Sequence, residues 1–136
     1  MATNQAIIDS ALGKLGVIES GDSADATDSA TALTVLNAMM NEWRNRSMDF
    51  NWFNQDTLTD SIPIPDWAEE GVKSNLAVRA ASDFRTPVPP SLLTEALDGR
   101  RTIGNTLISQ DLDNADMTHL PYGDGRTSEY DIENGL

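Results

Sequence analysis

"DATDSATALTVLNAMMNEWRNR", Asp25 to Arg46, decides the fold. Ala26, Ala30, Leu33, Leu36, Asn37, Met40 and Trp43 recur at three- and four-residue spacing. That spacing lines one face of a helix; a strand would alternate every second residue. Asp25, or Ser23 before it, carries the acceptor side chain of an N-cap, and Asp28 places negative charge near the positive end of the helix dipole. Arg44 and Arg46 place cations at the other end.

Working outward, the same period appears three more times. Upstream, Thr3 caps a helix over Asn4 to Leu15 with Ile7, Ile8, Ala11, Leu12 and Leu15 on one side. Gly16 stops it, and Gly13 inside it weakens it by about 1 kcal/mol relative to Ala, so this helix needs a partner. Val17 and Ile18 anchor the following loop. Downstream, Phe50, Trp52 and Phe53 fall together, and "TLT" and "SIPI" read as a short hairpin across Asp60 and Ser61, with Pro63 and Pro65 holding the second run to an edge. A third helix opens at Asp66 as N-cap with Glu69 as its box partner, and buries Ala68, Val72, Leu76, Ala77, Ala80, Ala81 and Phe84. "RTPVPPS" ends it. A fourth runs from Pro90 or Ser91 to about Ser109 with Leu92, Leu93, Ala96, Leu97, Arg100, Ile103 and Leu107 as its stripe.

The expectation is an all-α fold: a small bundle of about four helices over residues 1–109, with a short hairpin insert. Leu33, Leu36, Met40, Trp43, Leu76, Ala80, Phe84, Leu93 and Leu97 form its core. From Gln110 the periodicity stops. Residues 110–136 hold only isolated apolar side chains, among them Leu120, Tyr122, Tyr130 and Ile132, which is too few for a core. This segment is expected to be an extended arm that gains order on a partner.

The chain has 136 residues, enough for one modest core, and a net charge of −13. Such a surface is repelled by nucleic-acid phosphate, so a DNA-reading module is disfavoured. It carries no cysteine, which removes disulfides and thiolate chemistry. No window approaches a membrane span, and "MATNQAIIDS" has neither the basic start nor the apolar run of a secretion signal, so a soluble, non-secreted chain is expected.

Four chemical motifs fail on inspection. "GRRTIGNT", Gly99 to Thr106, resembles the phosphate loop G-x-x-x-x-G-K-S/T, but Asn105 replaces the lysine and the stretch lies in a helical pattern; its glycines suit a close helix crossing better. "DLDNAD" (Asp111, Asp113, Asp116) starts like a calcium loop, yet Ala115 and Asp116 fill the third-ligand and glycine positions. His119 is the only histidine, too few for a triad or a zinc site. Glu69 and Glu70 are adjacent in a helix and point apart. No catalysis, cofactor or metal is expected. Arg79, Arg85, Arg100 and Arg101 form the one basic concentration, and in so acidic a protein they are natural contacts for another copy of the chain.

"ALGKLGVIESGDSADATDSATALTVLNAMMNEW" (Ala11 to Trp43), "LAVRAASDF" (Leu76 to Phe84), "TPVPPSLLTEAL" and "LPYGDGR…YDIENG" together resemble the head-to-tail adaptor proteins of short-tailed bacteriophages, also described as head-completion or packaged-DNA stabilisation proteins. The resemblance is collinear over most of the chain, although the stretch between Trp52 and Asp66 is shorter than the family's hairpin region. It implies a virion structural protein without enzymatic activity. Such a protein assembles as a dodecameric ring beneath the portal after DNA packaging, retains the genome and offers a platform for a tail nozzle or tail tube protein. The implied location is the head–tail junction of the virion, with the host cytoplasm during assembly. DNA would pass through the channel without sequence-specific binding, and no membrane is involved. On this reading Leu120, Tyr122, Gly123, Gly125, Arg126, Tyr130 and Ile132 grip the portal. The competing expectation is a monomeric acidic regulator, or DNA mimic, that occupies a host factor.

Overall fold

The structure, a computed structural model, describes residues 2–19 and 21–114. Four helices build it: α1 (Asn4–Leu15), α2 (Ala26–Asn45), α3 (Glu69–Ala80) and α4 (Pro90–Asn114). The expected all-helical bundle is what the chain forms. α3 is its hub, packing against all three other helices and most extensively against α4.

α1 has the ends its sequence dictates. The Thr3 hydroxyl accepts from the Ala6 amide at 3.1 Å. Gly16, at φ 81°, closes the helix, with its own amide bonded to the Gly13 carbonyl and that of Val17 to the Leu12 carbonyl. Ile7, Ile8, Ala11, Leu12 and Leu15 are buried. In α2 the Asp25 carboxylate accepts from the Asp28 amide at 2.8 Å.

The buried face of α2 differs from the expected one. Ser29, Ala32, Leu36, Met39, Met40 and Trp43 point inward, whereas Ala26 and Ala30 are exposed and Leu33 and Asn37 half-buried. The face is turned by about 60° from the expected stripe, less than one residue's step of 100°. Two side chains cause the difference. Ser29 is buried with its hydroxyl accepting from Gln5 at 3.0 Å, so its polarity has a partner. Asn37 points at a backbone: it donates to the Gln55 carbonyl at 3.0 Å and accepts from the Gln55 amide at 2.8 Å, as a neighbouring strand would.

The expected hairpin across Asp60 and Ser61 is not formed, and the described residues contain no strand. The extended segment pairs instead with the start of α1. The carbonyls of Asp60 and Leu58 accept from the amides of Asn4 and Gln5, both at 2.9 Å, and the Ile62 amide donates to Ala2. A single antiparallel bridge joins Thr3 and Ser61. The first amides of a helix have no partner within it, and here the loop supplies one. Pro63 and Pro65 remove two donors that a hairpin ladder needs, so the segment uses its acceptors on α1. Buried Trp52, Ile62 and Ile64 pin it to the core. Buried Asn4 completes the clasp, donating to Gln55 Oε1 at 2.9 Å and to the Thr57 carbonyl at 2.8 Å.

α3 is preceded by one 3₁₀ turn, Asp66–Ala68, capped by the Pro65 carbonyl, which accepts from Ala68 at 3.0 Å. Asp66 makes no side-chain cap, contrary to expectation; the tighter turn places it inside the helical run. α3 and α4 meet at two glycines. A Cβ on Gly99 would stand 2.7 Å from the Gly71 Cα, and one on Gly71 would stand 2.7 Å from Ile103 Cδ1. The near-phosphate-loop glycine is therefore a helix crossing point. Beside it, Asn75 ties the two helices by donating to the Ala96 carbonyl at 2.9 Å.

α4 departs from the sequence reading in two ways. It continues past Ser109 to Asn114, so the first residues of the expected arm are helical. Its inward face is Leu92, Ala96 and Ile103, while Leu93 and Leu97, expected in the core, are exposed.

Candidate docking surface

The outward face of α4 is the most unusual surface of the described residues. Leu93, Leu97, Ile108 and Leu112 are 47%, 54%, 54% and 69% exposed. At 100° per residue they fall, with Arg100 and Arg101, within an arc of about 120°. The sequence merges this stripe with the buried one, because Leu92–Leu93 and Ala96–Leu97 are adjacent pairs that straddle the two. Only three-dimensional packing on α3 selects Leu92 and Ala96 as the inner members.

Single exposed leucines need no explanation, but four aligned on one helix with arginine between them do. Apolar side chains interrupted by Arg are the composition that protein interfaces favour. Beyond Leu107 the helix leaves the body: every side chain from Ile108 to Asp113 is exposed. Of its last turns, Asp111 lies beside the loop at Ser47, Asp49 and Asn51, and no side chain is buried there. Asp111 and Asp113 lie in this projection, in helix and not in the loop that a calcium site requires.

The expected inter-subunit arginines divide. Arg79 of α3 is hydrogen-bonded to Glu42 of α2, and Arg46 reaches the same carboxylate at 3.3 Å. The Arg79 guanidinium holds the Glu42 carboxyl below the usual carboxylate range, with Arg46 and Arg100 adding to the effect through their charge. Two guanidinium groups thus contact one carboxylate, a local excess of positive charge on an acidic chain. The sequence ties Arg46 only to the helix dipole, and the packing adds this contact. Arg101 stands apart and exposed, 3.8 Å from Asp98, and Arg85 is exposed at φ 53° in the turn after α3. The portal-gripping candidates Leu120, Tyr122, Gly123, Gly125, Arg126, Tyr130 and Ile132, and with them His119, lie outside the described residues.

A second charged arrangement joins three helices. Lys14 of α1 donates to Glu95 of α4 at 2.8 Å and stands 3.5 Å from Glu70 of α3, which Lys73 contacts at 3.1 Å. Glu95 also accepts from the Ser74 hydroxyl at 2.9 Å. The Glu95 contact raises the Lys14 pKa, and Lys14 in turn lowers that of Glu95; Lys73 lowers that of Glu70.

Among the described residues no helix is long and apolar enough to cross a membrane. Compared with known protein families and with curated proteins, the chain matches none.

Proposed function

We propose that the protein is a structural adaptor of a bacteriophage head–tail junction, a non-enzymatic ring component that docks beneath the portal, retains the packaged genome and presents a platform to a tail nozzle or tail tube protein. The observation that carries this reading is the outer face of α4, four exposed apolar side chains around two arginines on a helix that runs out of the body. A protein that acts alone has no use for such a face, whereas a ring component needs at least one surface for its neighbour and one for the complex it completes. The resemblance of Ala11 to Trp43 and of the later segments to short-tailed-phage adaptors supports the same reading. The net charge of −13 is compatible with a channel wall that DNA passes without adhering.

The test is sedimentation of the full chain with a purified portal ring of a short-tailed phage. Ring-sized co-assembly supports the adaptor. A monomer indifferent to portal sinks it and favours an acidic regulator of a host factor. The double variant Leu97→Ser with Ile108→Ser changes only exposed positions, so its melting point should stay near that of the parent, while portal co-sedimentation should weaken. Deleting residues 115–136 should abolish portal binding and leave the helical body folded.

A further inference from the structure

The outer stripe of α4 has a definite order. From the end of the helix back toward its start it reads Leu112, Ile108, Arg101, Leu97, Leu93, with Asp98 at its edge beside Arg101, and all six side chains are exposed. Arg101 and Asp98 stand 3.8 Å apart and have no other ion pair among the described residues. Two apolar pairs, each spanning about 6 Å, thus flank one base and one acid, and the outermost leucines are about 29 Å apart. Residues 115–136 follow the helix, and in them Leu120, Tyr122, Asp124, Arg126, Tyr130 and Ile132 stand an even number of residues apart. In extended chain they share one face, and the members of each apolar pair are about 7 Å apart. Laid antiparallel to α4, this face sets apolar on apolar at both ends, with acid on base and base on acid between them. Glu129, Asp131 and Glu133 fall on the opposite face, toward solvent. The face is about 40 Å long when fully extended, and the turn-forming residues from Gly123 to Ser128 take up the surplus of about 11 Å. Ala115 to His119 make the reversal, a length common for connections between adjacent elements. A second α4 fits less well: antiparallel with its leucines in register, it brings the two Arg101 side chains within about 5 Å along the axis, like charge on like.

We propose that residues 115–136 turn back along α4 of their own chain. Leu120 and Tyr122 cover Leu112 and Ile108, Asp124 and Arg126 meet Arg101 and Asp98, and Tyr130 and Ile132 cover Leu97 and Leu93. The segment is tethered to the end of the helix, so its effective concentration at the stripe is on the order of millimolar and weak contacts suffice to hold it. The exposed charges set its direction more than its affinity. The consequence is regulatory, and it rests on the adaptor reading above, in which stripe and segment both serve the assembly. While each covers the other, neither is open to a partner and the chain stays a monomer. A portal that takes the segment uncovers the stripe for a neighbouring copy, so docking comes before lateral contact.

The chain is free of cysteine, which makes disulfide trapping clean. In the full chain, Leu97→Cys with Tyr130→Cys joins positions that the contact brings together. Leu97→Cys with Leu120→Cys joins positions that it holds apart, although the loop between them is shorter. A segment that makes no contact closes the shorter loop at least as fast. Under mild oxidation at low protein concentration, without portal, the first pair should close within the chain at least about tenfold faster than the second. Arg101→Asp should cut that preference about threefold, and Asp124→Arg added to it should return most of it, an exchange that loss of folding cannot produce. A first pair that closes no faster than the second, or that yields linked dimers instead of closed monomers, overturns the proposal. The closed chain should fail to co-sediment with the portal ring of a short-tailed phage and should bind once reduced; a closed chain that binds portal overturns the masking. The adaptor is scored separately. A chain that closes in this register but ignores portal when reduced keeps the contact and loses the adaptor, and one that binds portal without preferring this register does the reverse.

Discussion

Replacing Gly99 with alanine should destabilise the bundle, although alanine is the better helix former. The added Cβ would stand 2.7 Å from the Gly71 Cα, which belongs to the backbone of another helix and has no rotamer by which to move aside. Carbon atoms rest at about 3.5–4.0 Å, so α3 and α4 must separate by about 1 Å at the crossing. A gap of that size forfeits roughly a quarter to a half of the dispersion attraction across it. Gly71, Ser74 and Asn75 of α3 and Ala96, Gly99 and Ile103 of α4 are the residues that meet along that seam. At about 0.5 kcal/mol each the loss is about 3 kcal/mol, and the gain in helix propensity returns about 1. The net is a loss of about 2 kcal/mol, which lowers the folded-to-unfolded ratio about 30-fold and the melting temperature by about 10 °C. Urea titration followed by tryptophan fluorescence, with buried Trp43 and Trp52 as reporters, and by far-ultraviolet circular dichroism measures it. Gly13→Ala is the matched control, with the same propensity gain and no atom within 4 Å, so it should stabilise by up to about 1 kcal/mol. If Gly99→Ala proves as stable as the parent, the backbone crossing does not hold α3 and α4 together as described.

Other perturbations test other joints. Asn4→Ala leaves the Thr57 carbonyl and Gln55 without their buried donor and should cost about 2–3 kcal/mol in urea, with the 55–62 segment becoming the first to exchange its amides. Trp43→Ala, at a fully buried α2 position, should cost about 3–5 kcal/mol in a thermal melt. Glu95 and Glu70 have lowered pKa values, so their contribution is full above the ordinary carboxylate range and is lost as pH falls through their folded values; Glu95→Gln should flatten the acid limb of a stability–pH curve. Lys14 has a raised pKa, so its contribution persists through neutral pH and is lost only in strong alkali, a limb that Lys14→Met should remove.

What could be read from the sequence was what single residues decide locally. Thr3, Asp25 and Gly16 act as caps and a stop through their own side chain or its absence, so α1 and the start of α2 sit where the sequence places them. The hairpin failed because its carbonyls serve amides of α1 that lie some fifty residues upstream, a pairing no local window contains. The α2 face was turned because alanine marks a buried face poorly, whereas Ser29 is buried by a partner on another helix. The arginine cluster is half legible: the sequence singles out Arg79, but that Arg46 shares its carboxylate follows only from the packing of α2 on α3. The cluster of Lys14, Lys73, Glu70 and Glu95 left no trace in the sequence, because its members come from three helices.

The error at Leu93 and Leu97 says most about function. A helix that packs one face needs one stripe, and the hydrophobic period of α4 is broad enough for two. The crossing at Gly71 and Gly99 fixes which stripe turns inward, because only that rotation brings glycine to glycine. The other stripe is then left in solvent, with Arg101 among its leucines and half-buried Arg100 at its edge. Exposed apolar area of this kind promotes nonspecific association, and the net charge of −13 counters it by keeping copies apart at long range. A chain that combines the two resists random aggregation yet holds a directional adhesive face, as a subunit must if it is to stay apart until a template gathers many copies. Raising the salt screens the first property and spares the second. The isolated chain should therefore associate more, not less, as ionic strength rises wherever the α4 stripe dominates, and Leu97→Ser with Ile108→Ser should remove that rise in a light-scattering titration. A rise that survives the double substitution would place the adhesive surface elsewhere.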